Sequence, residues 1–105
     1  MNDIFEIHWS KRAIRDLRKI EVYLMEHASE QTAGKVIRGL FDAVEPAATH
    51  PERFPPEHRL VKKGNFRFAL KWRYRIIYEF TGIQIIVHRV VHSRRDMKKA
   101  LRNVR

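Results

Sequence analysis

Residues 65–80, NFRFALKWRYRIIYEF, alternate with a period of two. Phe66, Phe68, Leu70, Trp72, Tyr74, Ile76, Tyr78 and Phe80 fall at every second position, so an extended chain turns them all to one side. Arg67, Lys71, Arg73 and Arg75 fall on the other side, so one face seeks a core and the other an anion. The stretch divides into strands around 67–72 and 74–80, and a third strand follows the Thr81-Gly82 turn over 83–92. Two registers are open to that last hairpin. A two-residue turn sets Arg75 opposite His88, with Ile86, Val90 and His92 on the basic face; a bulge at Gly82 after a longer turn puts Ile85, Val87 and Arg89 there instead.

Upstream the period changes. Ile4, Phe5, Ile7 and Trp9 form a short apolar strand ending at Ser10, a good helix N-cap. Ala13, Ile14, Leu17, Ile20, Leu24 and Ala28 then recur at helical spacing, with Arg12, Arg15, Asp16, Arg18 and Lys19 on the other side. Ser29 is a second cap candidate, opening the stripe Ala33, Val36, Ile37, Leu40, Phe41 and Val44, which Pro46 should end. Two antiparallel helices joined near 28–30 are expected, and Gly34 and Gly39 either weaken the second or let a neighbour approach closely. Residues 49–57, with three prolines and no periodicity, carry the chain from helices to sheet. The fold class is α+β, with strand order β-α-α-β-β-β and the helical hairpin on one face of a small antiparallel sheet whose other face is basic and partly open. Trp9, Trp72 and Tyr78 are expected in the core.

Length and charge sharpen this picture. At 105 residues the chain is expected to be one domain, with 97–105 a short final helix or a flexible basic tail. Its 22 Lys and Arg against 12 Asp and Glu leave a net charge of +10, and between Arg59 and Arg75 seven cations occur without one acid. Such self-repulsion within a sheet points to a polyanionic partner, nucleic acid or an acidic protein. The cations are concentrated on strands and termini more than on an amphipathic helix, which ranks a membrane surface last among anionic partners. No leader and no long apolar run is seen, and cysteine is absent, so the expected location is cytoplasmic. Without Cys, and with His8, His27, His50 and His58 scattered at no zinc spacing, neither a metal site nor a cofactor is expected.

The order strand, helical hairpin, proline-bearing loop and three strands, together with Tyr74-Arg75-Ile76-Ile77-Tyr78 and the run Arg89-Val90-Val91-His92-Ser93-Arg94-Arg95-Asp96, resembles the RelE/ParE superfamily of small bacterial toxins. The Ser10-Lys11-Arg12-Ala13 helix start and the Asp16-Leu17 pair are closer to the ParE branch, the plasmid stabilisation proteins. The resemblance implies the toxin of a type II toxin–antitoxin pair, inhibiting growth unless an acidic or amphipathic antitoxin segment wraps it, with a homodimer also open to it. Two activities travel with this fold. RelE-like members cut messenger RNA in the ribosome, whereas ParE-like members poison DNA gyrase.

RNA cleavage needs a group to take the 2′-OH proton, a donor for the leaving oxygen and fixed cations for the phosphorane. On the family's pattern Arg75 is the strand arginine and Arg94 the arginine after the last strand, with Lys71 or His92 to handle protons. The late tyrosine of RelE-like enzymes has no counterpart, since the tail reads Met97-Lys98-Lys99-Ala100 and no tyrosine follows Tyr78. That favours gyrase. Arg67, Lys71, Arg73, Arg75, Arg94, Arg95, Lys98 and Lys99 are the candidate partner or nucleic-acid contacts, and a bare nucleic-acid-binding module is the reading that charge alone would support. Structural roles stand beside these: Arg67 and Arg75 as ion-pair partners of helix acids, His92 as a strand-end or capping residue, and Arg94 and Asp96 paired with each other or with a helix terminus. If Arg75 serves a site, its removal should leave the fold standing.

Overall fold

The computed structural model describes residues 4–105. Along the chain run β1 (Ile7–Trp9), α1 (Lys11–His27), α2 (Glu30–Val44), β2 (Phe66–Lys71), β3 (Tyr74–Phe80), β4 (Ile85–His92) and α3 (Met97–Ala100), with 3₁₀ turns at Glu45–Ala48 and His58–Leu60. Both helix starts are built by their serines. Ser10 Oγ accepts from Ala13 N at 3.1 Å and Ser29 Oγ from Thr32 N at 3.0 Å, each satisfying one of the free amides of a first turn. Ser10 also donates to the His88 carbonyl at 3.2 Å, which ties the start of α1 to β4.

The sheet order is β1-β4-β3-β2, with β1 parallel to β4 and the other pairs antiparallel. The sheet is thus mixed rather than wholly antiparallel. Two helices and two strands separate β1 from β4, a crossover long enough to bring the chain back in the same direction. The helical hairpin covers one face, burying Ala13, Leu17, Leu40 and Val44 against Ala69, Ile76, Tyr78, Ile85, Val87 and Val90.

The alternation of residues 66–80 does not survive as a single face. A two-residue turn at Trp72 and Arg73 pairs Lys71 with Tyr74, so parity inverts across it. Ala69, Ile76 and Tyr78 face the helices, while Phe66 pairs with Glu79 and Phe68 with Ile77 on the opposite side. Trp72, expected in the core, stands at the turn with φ 53° and is 51% exposed. Its ring rests on α2 at Gly39, where an added Cβ would lie 2.3 Å from the indole, so glycine serves a close approach there. The last hairpin takes neither expected register. Phe80 pairs with Ile85 across a four-residue loop, and the bulge falls at His88, between the pairs Ile77 with Arg89 and Tyr78 with Val87. That extra residue returns Val90 to the helical side after Ile85 and Val87.

The second face is covered instead of open. Met97, Ala100, Leu101 and Val104 pack with Leu60 against Phe66, Ile77 and Val91, so the basic tail is a structural segment. Asp96 caps α3, accepting from Lys98 N at 3.1 Å and Lys99 N at 3.4 Å rather than pairing with Arg94. Carbonyls left free at the end of this segment are met by cations: Arg89 donates to the Ala100 carbonyl, Arg12 to that of Arg102 at 3.1 Å and Lys63 to that of Val104 at 3.0 Å. The cover stops short of the β2–β3 turn, where Leu70 is exposed. Among the described residues no helix is long and apolar enough to cross a membrane.

Ile76→Ala should cost about 2–5 kcal/mol through an unfilled cavity, and Trp72→Ala should cost less although it removes more atoms, as urea melts of the two variants would show. A second expectation concerns Tyr78, whose hydroxyl donates to the Pro51 carbonyl at 2.6 Å and whose pKa burial pushes up to about 12. Because the folded value lies above the ordinary one of about 10, the neutral phenol's contribution is intact below that pH and is lost as pH rises toward the folded value. Tyr78→Phe should remove that alkaline slope and cost about 1 kcal/mol at neutral pH, measurable as stability against pH.

Candidate functional site

The parity inversion sorts the candidate residues into two groups on opposite faces. Lys71 pairs with Tyr74, and Tyr74 with His92, so these three form one row across the helical face at the β2–β3 end of the sheet. Leu70, Arg75 and Val91 form the adjacent row, directed to the other face. Arg75 therefore does not meet Lys71 or His92 over a single phosphate.

Arg75 is committed elsewhere. Its Nη1 lies 2.9 Å from Glu57 Oε1, and its guanidinium sits 3.8 Å from the Phe68 ring centroid. Glu57 is only 1% exposed and also receives Arg59, through its backbone amide at 3.3 Å and its Nη1 at 3.4 Å. A carboxylate at that depth is costly without charged partners, and Arg75 and Arg59 supply them. The acid comes from the proline loop and not from the helices. Arg75 Nε is buried and finds no hydrogen-bond partner among the described residues.

Arg67 has the same character. It donates to Asn65 Oδ1 at 3.0 Å and to the carbonyls of Glu52 and Phe54 at 3.1 and 2.8 Å, with Glu52 Oε2 at 3.4 Å. These bonds hold the proline loop along the outer edge of β2. The loop adds its own ladder there, Glu57 N to the Phe66 carbonyl at 2.8 Å and Phe68 N to that of Pro55 at 3.0 Å. The edge strand is thereby closed over its first half, at residues 66–68.

On the helical face, the His92 and Tyr74 rings meet edge to face with centroids 5.4 Å apart, and His92 Nδ1 accepts from Arg94 N at 3.1 Å. That bond places the proton of a neutral His92 on Nε2. Burial, and the nearby Tyr23, raise the Tyr74 pKa. Lys71 Nζ lies 4.8 Å from the Trp72 ring centroid, and Arg73, Arg94 and Arg95 are exposed. Lys98 borders a separate groove of about 360 Å³ with Arg59, Lys63 and Leu101, and Lys99 is exposed on α3. Among the described residues no three His, Asp or Glu side chains gather as metal ligands would.

Three functional placements escaped the sequence. Asp16, assigned to the polar side of α1, turns to the open edge of β4, accepting from Arg89 Nε at 2.7 Å and from Val90 N at 2.9 Å. Burial and the neighbouring Arg89 lower the Arg12 pKa beside it. Glu57 reads as loop, yet it is the last acid before the cation-rich stretch and so the nearest source of a counter-charge. Tyr74 reads only as core from its place in the alternation. An apolar groove of about 170 Å³ also opens between the helices, lined by Ile14, Leu17, Ile37 and Phe41 with Arg18 and Glu21 at its rim.

Known structures share this architecture. A chromosomal ParDE toxin–antitoxin system from P. aeruginosa superposes with a TM-score of 0.70 at 16% identity, covering 86% of this chain and 97% of that one. The RelBE2 toxin–antitoxin complex from Mycobacterium tuberculosis gives 0.55 at 18% identity, covering 85% and 91%. No curated protein sequence matches. The family model described as the ParE toxin of the type II toxin–antitoxin system parDE matches residues 7–97, nearly the whole framework from β1 into α3. The chain belongs to the ParE toxin family.

Proposed function

We propose that this chain is the toxin of a type II toxin–antitoxin pair and acts by inhibiting DNA gyrase. Family membership supports the toxin role, and the structurally similar proteins belong to toxin–antitoxin systems. The observation that favours gyrase over message cleavage is the position of Arg75. A metal-independent ribonuclease must converge a cation, a base and an acid on one phosphate. Here the strand arginine is locked to buried Glu57 on one face, the proton-handling candidates Lys71 and His92 stand on the other, and no tyrosine follows Tyr78.

The antitoxin, in this reading, lies along the helical hairpin. The proline loop occupies the β2 edge and the C-terminal segment the second sheet face, whereas the groove at Ile14, Leu17, Ile37 and Phe41 is apolar and open. An amphipathic segment would bury its apolar side there and set its acids toward Arg18 and the other cations of α1.

Purified chain added to gyrase should block supercoiling while ribosome-bound message stays whole. Message cut at a fixed position in the ribosomal A site, with supercoiling normal, would overturn the gyrase reading. Ile14→Asp should weaken binding of the co-encoded antitoxin about 10–100-fold by placing a charge in the groove and leave toxicity in place; unchanged affinity in a titration would move the docking site elsewhere. Arg75→Ala should lower stability by about 1–3 kcal/mol, because it strips a partner from buried Glu57, while Lys71→Ala should stay within about 0.5 kcal/mol. Denaturant unfolding of both variants checks this, and a loss of that size assigns Arg75 a structural role.

A further inference from the structure

The β2–β3 turn holds a large aromatic where a small residue would fold with less strain. Trp72 takes φ 53°, a region that two-residue turns give to Gly or Asn and that bulky side chains seldom enter. Half of its surface remains in water, so packing on Gly39 recovers only part of what a buried indole would contribute. The ring forms one wall of an open cleft of about 300 Å³, bounded also by Leu24, Val36, Arg73, Tyr74 and His92. The walls are mainly apolar and aromatic, and the rim is cationic.

Lys71, Arg73, Arg94 and Arg95 stand around this end of the sheet, and none forms an ion pair among the described residues. They differ in this from Arg67, Arg75 and Arg89, which the fold consumes. No acid lies between Val61 and Tyr78 or between Ile83 and Arg95, so nothing local neutralises them. His92, with Nδ1 accepting from Arg94 N, presents Nε2–H as a further donor in its neutral form.

We propose that this cleft takes one unpaired base of a single-stranded nucleic acid, with the base against Trp72 and the flanking phosphates on Lys71 and Arg73. An aromatic face beside unpaired cations is what a single strand engages, by stacking and charge together, whereas a duplex keeps its base faces covered. An acidic peptide would meet the same cations and draw little from the indole. The inference is independent of the antitoxin and of gyrase, and the isolated chain tests it without either.

The full chain is titrated into fluorescently labelled twelve-residue strands, followed by anisotropy: a base-bearing deoxy- or ribo-oligomer, an abasic backbone of the same charge, and a duplex. The base-bearing strand should bind about tenfold more tightly than the abasic one. Trp72→Ala, with its fold verified by circular dichroism, should erase that preference while leaving abasic and duplex affinity unchanged, and Trp72→Phe should retain most of it. Arg73→Gln should weaken all strands and lower the salt slope by about one. Base dependence with either sugar supports the site. Equal binding of base-bearing and abasic strands, wild-type behaviour of Trp72→Ala, equal losses on single strand and duplex, or displacement by polyglutamate as effective as by the base-bearing strand would overturn it.

Discussion

A two-residue turn between β2 and β3 sets the side on which every residue of β3 falls. Because Lys71 stands opposite Tyr74, the even positions of β2 share a face with the odd positions of β3. An apparently continuous amphipathic stripe is thereby split into two half-apolar faces, and both then require cover. The helical hairpin covers one. The other is closed by residues 97–104, which explains why a segment rich in Lys and Arg also carries Met97, Leu101 and Val104 at buried positions.

Two covered faces change what the positive charge is for. Arg67 fastens the proline loop, Arg75 pairs with Glu57, and Arg89 joins α1 to β4 through Asp16 while capping the end of α3. Each is a cation placed against a backbone carbonyl or a carboxylate drawn out of water. The bulge at His88 belongs to the same set. It lets His88 reach Glu79 at 3.0 Å, and Glu79 in turn meets Arg105 at 2.9 Å, drawing the chain's last residue onto the sheet. The charge that remains uncommitted is concentrated at the Trp72 end and on the exposed surface of the helices.

Local chemistry made much of this legible. Ser10 and Ser29 announce helix starts that need only their own next turn, Pro46 marks the end of α2, and period-two runs give β2, β3 and β4. The family likeness followed from the same residues. Parity was not legible, because it depends on whether the turn at residues 72–73 has two residues or three, and tryptophan in a left-handed conformation is a poor advertisement for the shorter choice. The consequences propagate: the alternation alone puts Trp72 in the core, and Arg75 on the same surface as Lys71. Long-range pairing was equally hidden. Glu57, the last acid before the cation-rich stretch, hints only that it will meet one of those cations and not that it is Arg75, 18 residues away, and nothing near Asp16 reveals its arginine 73 residues on.

The account rests on Arg75 being an internal counter-ion on the face opposite Lys71 and His92. A thermodynamic double-mutant cycle at Glu57 and Arg75, using Glu57→Gln, Arg75→Gln and the pair, measures this directly by urea unfolding. A favourable coupling of at least about 1 kcal/mol is predicted, with the double variant more stable than the sum of single losses implies. Additive losses, with no coupling between the two positions, would contradict it and return Arg75 to the surface as a free cation.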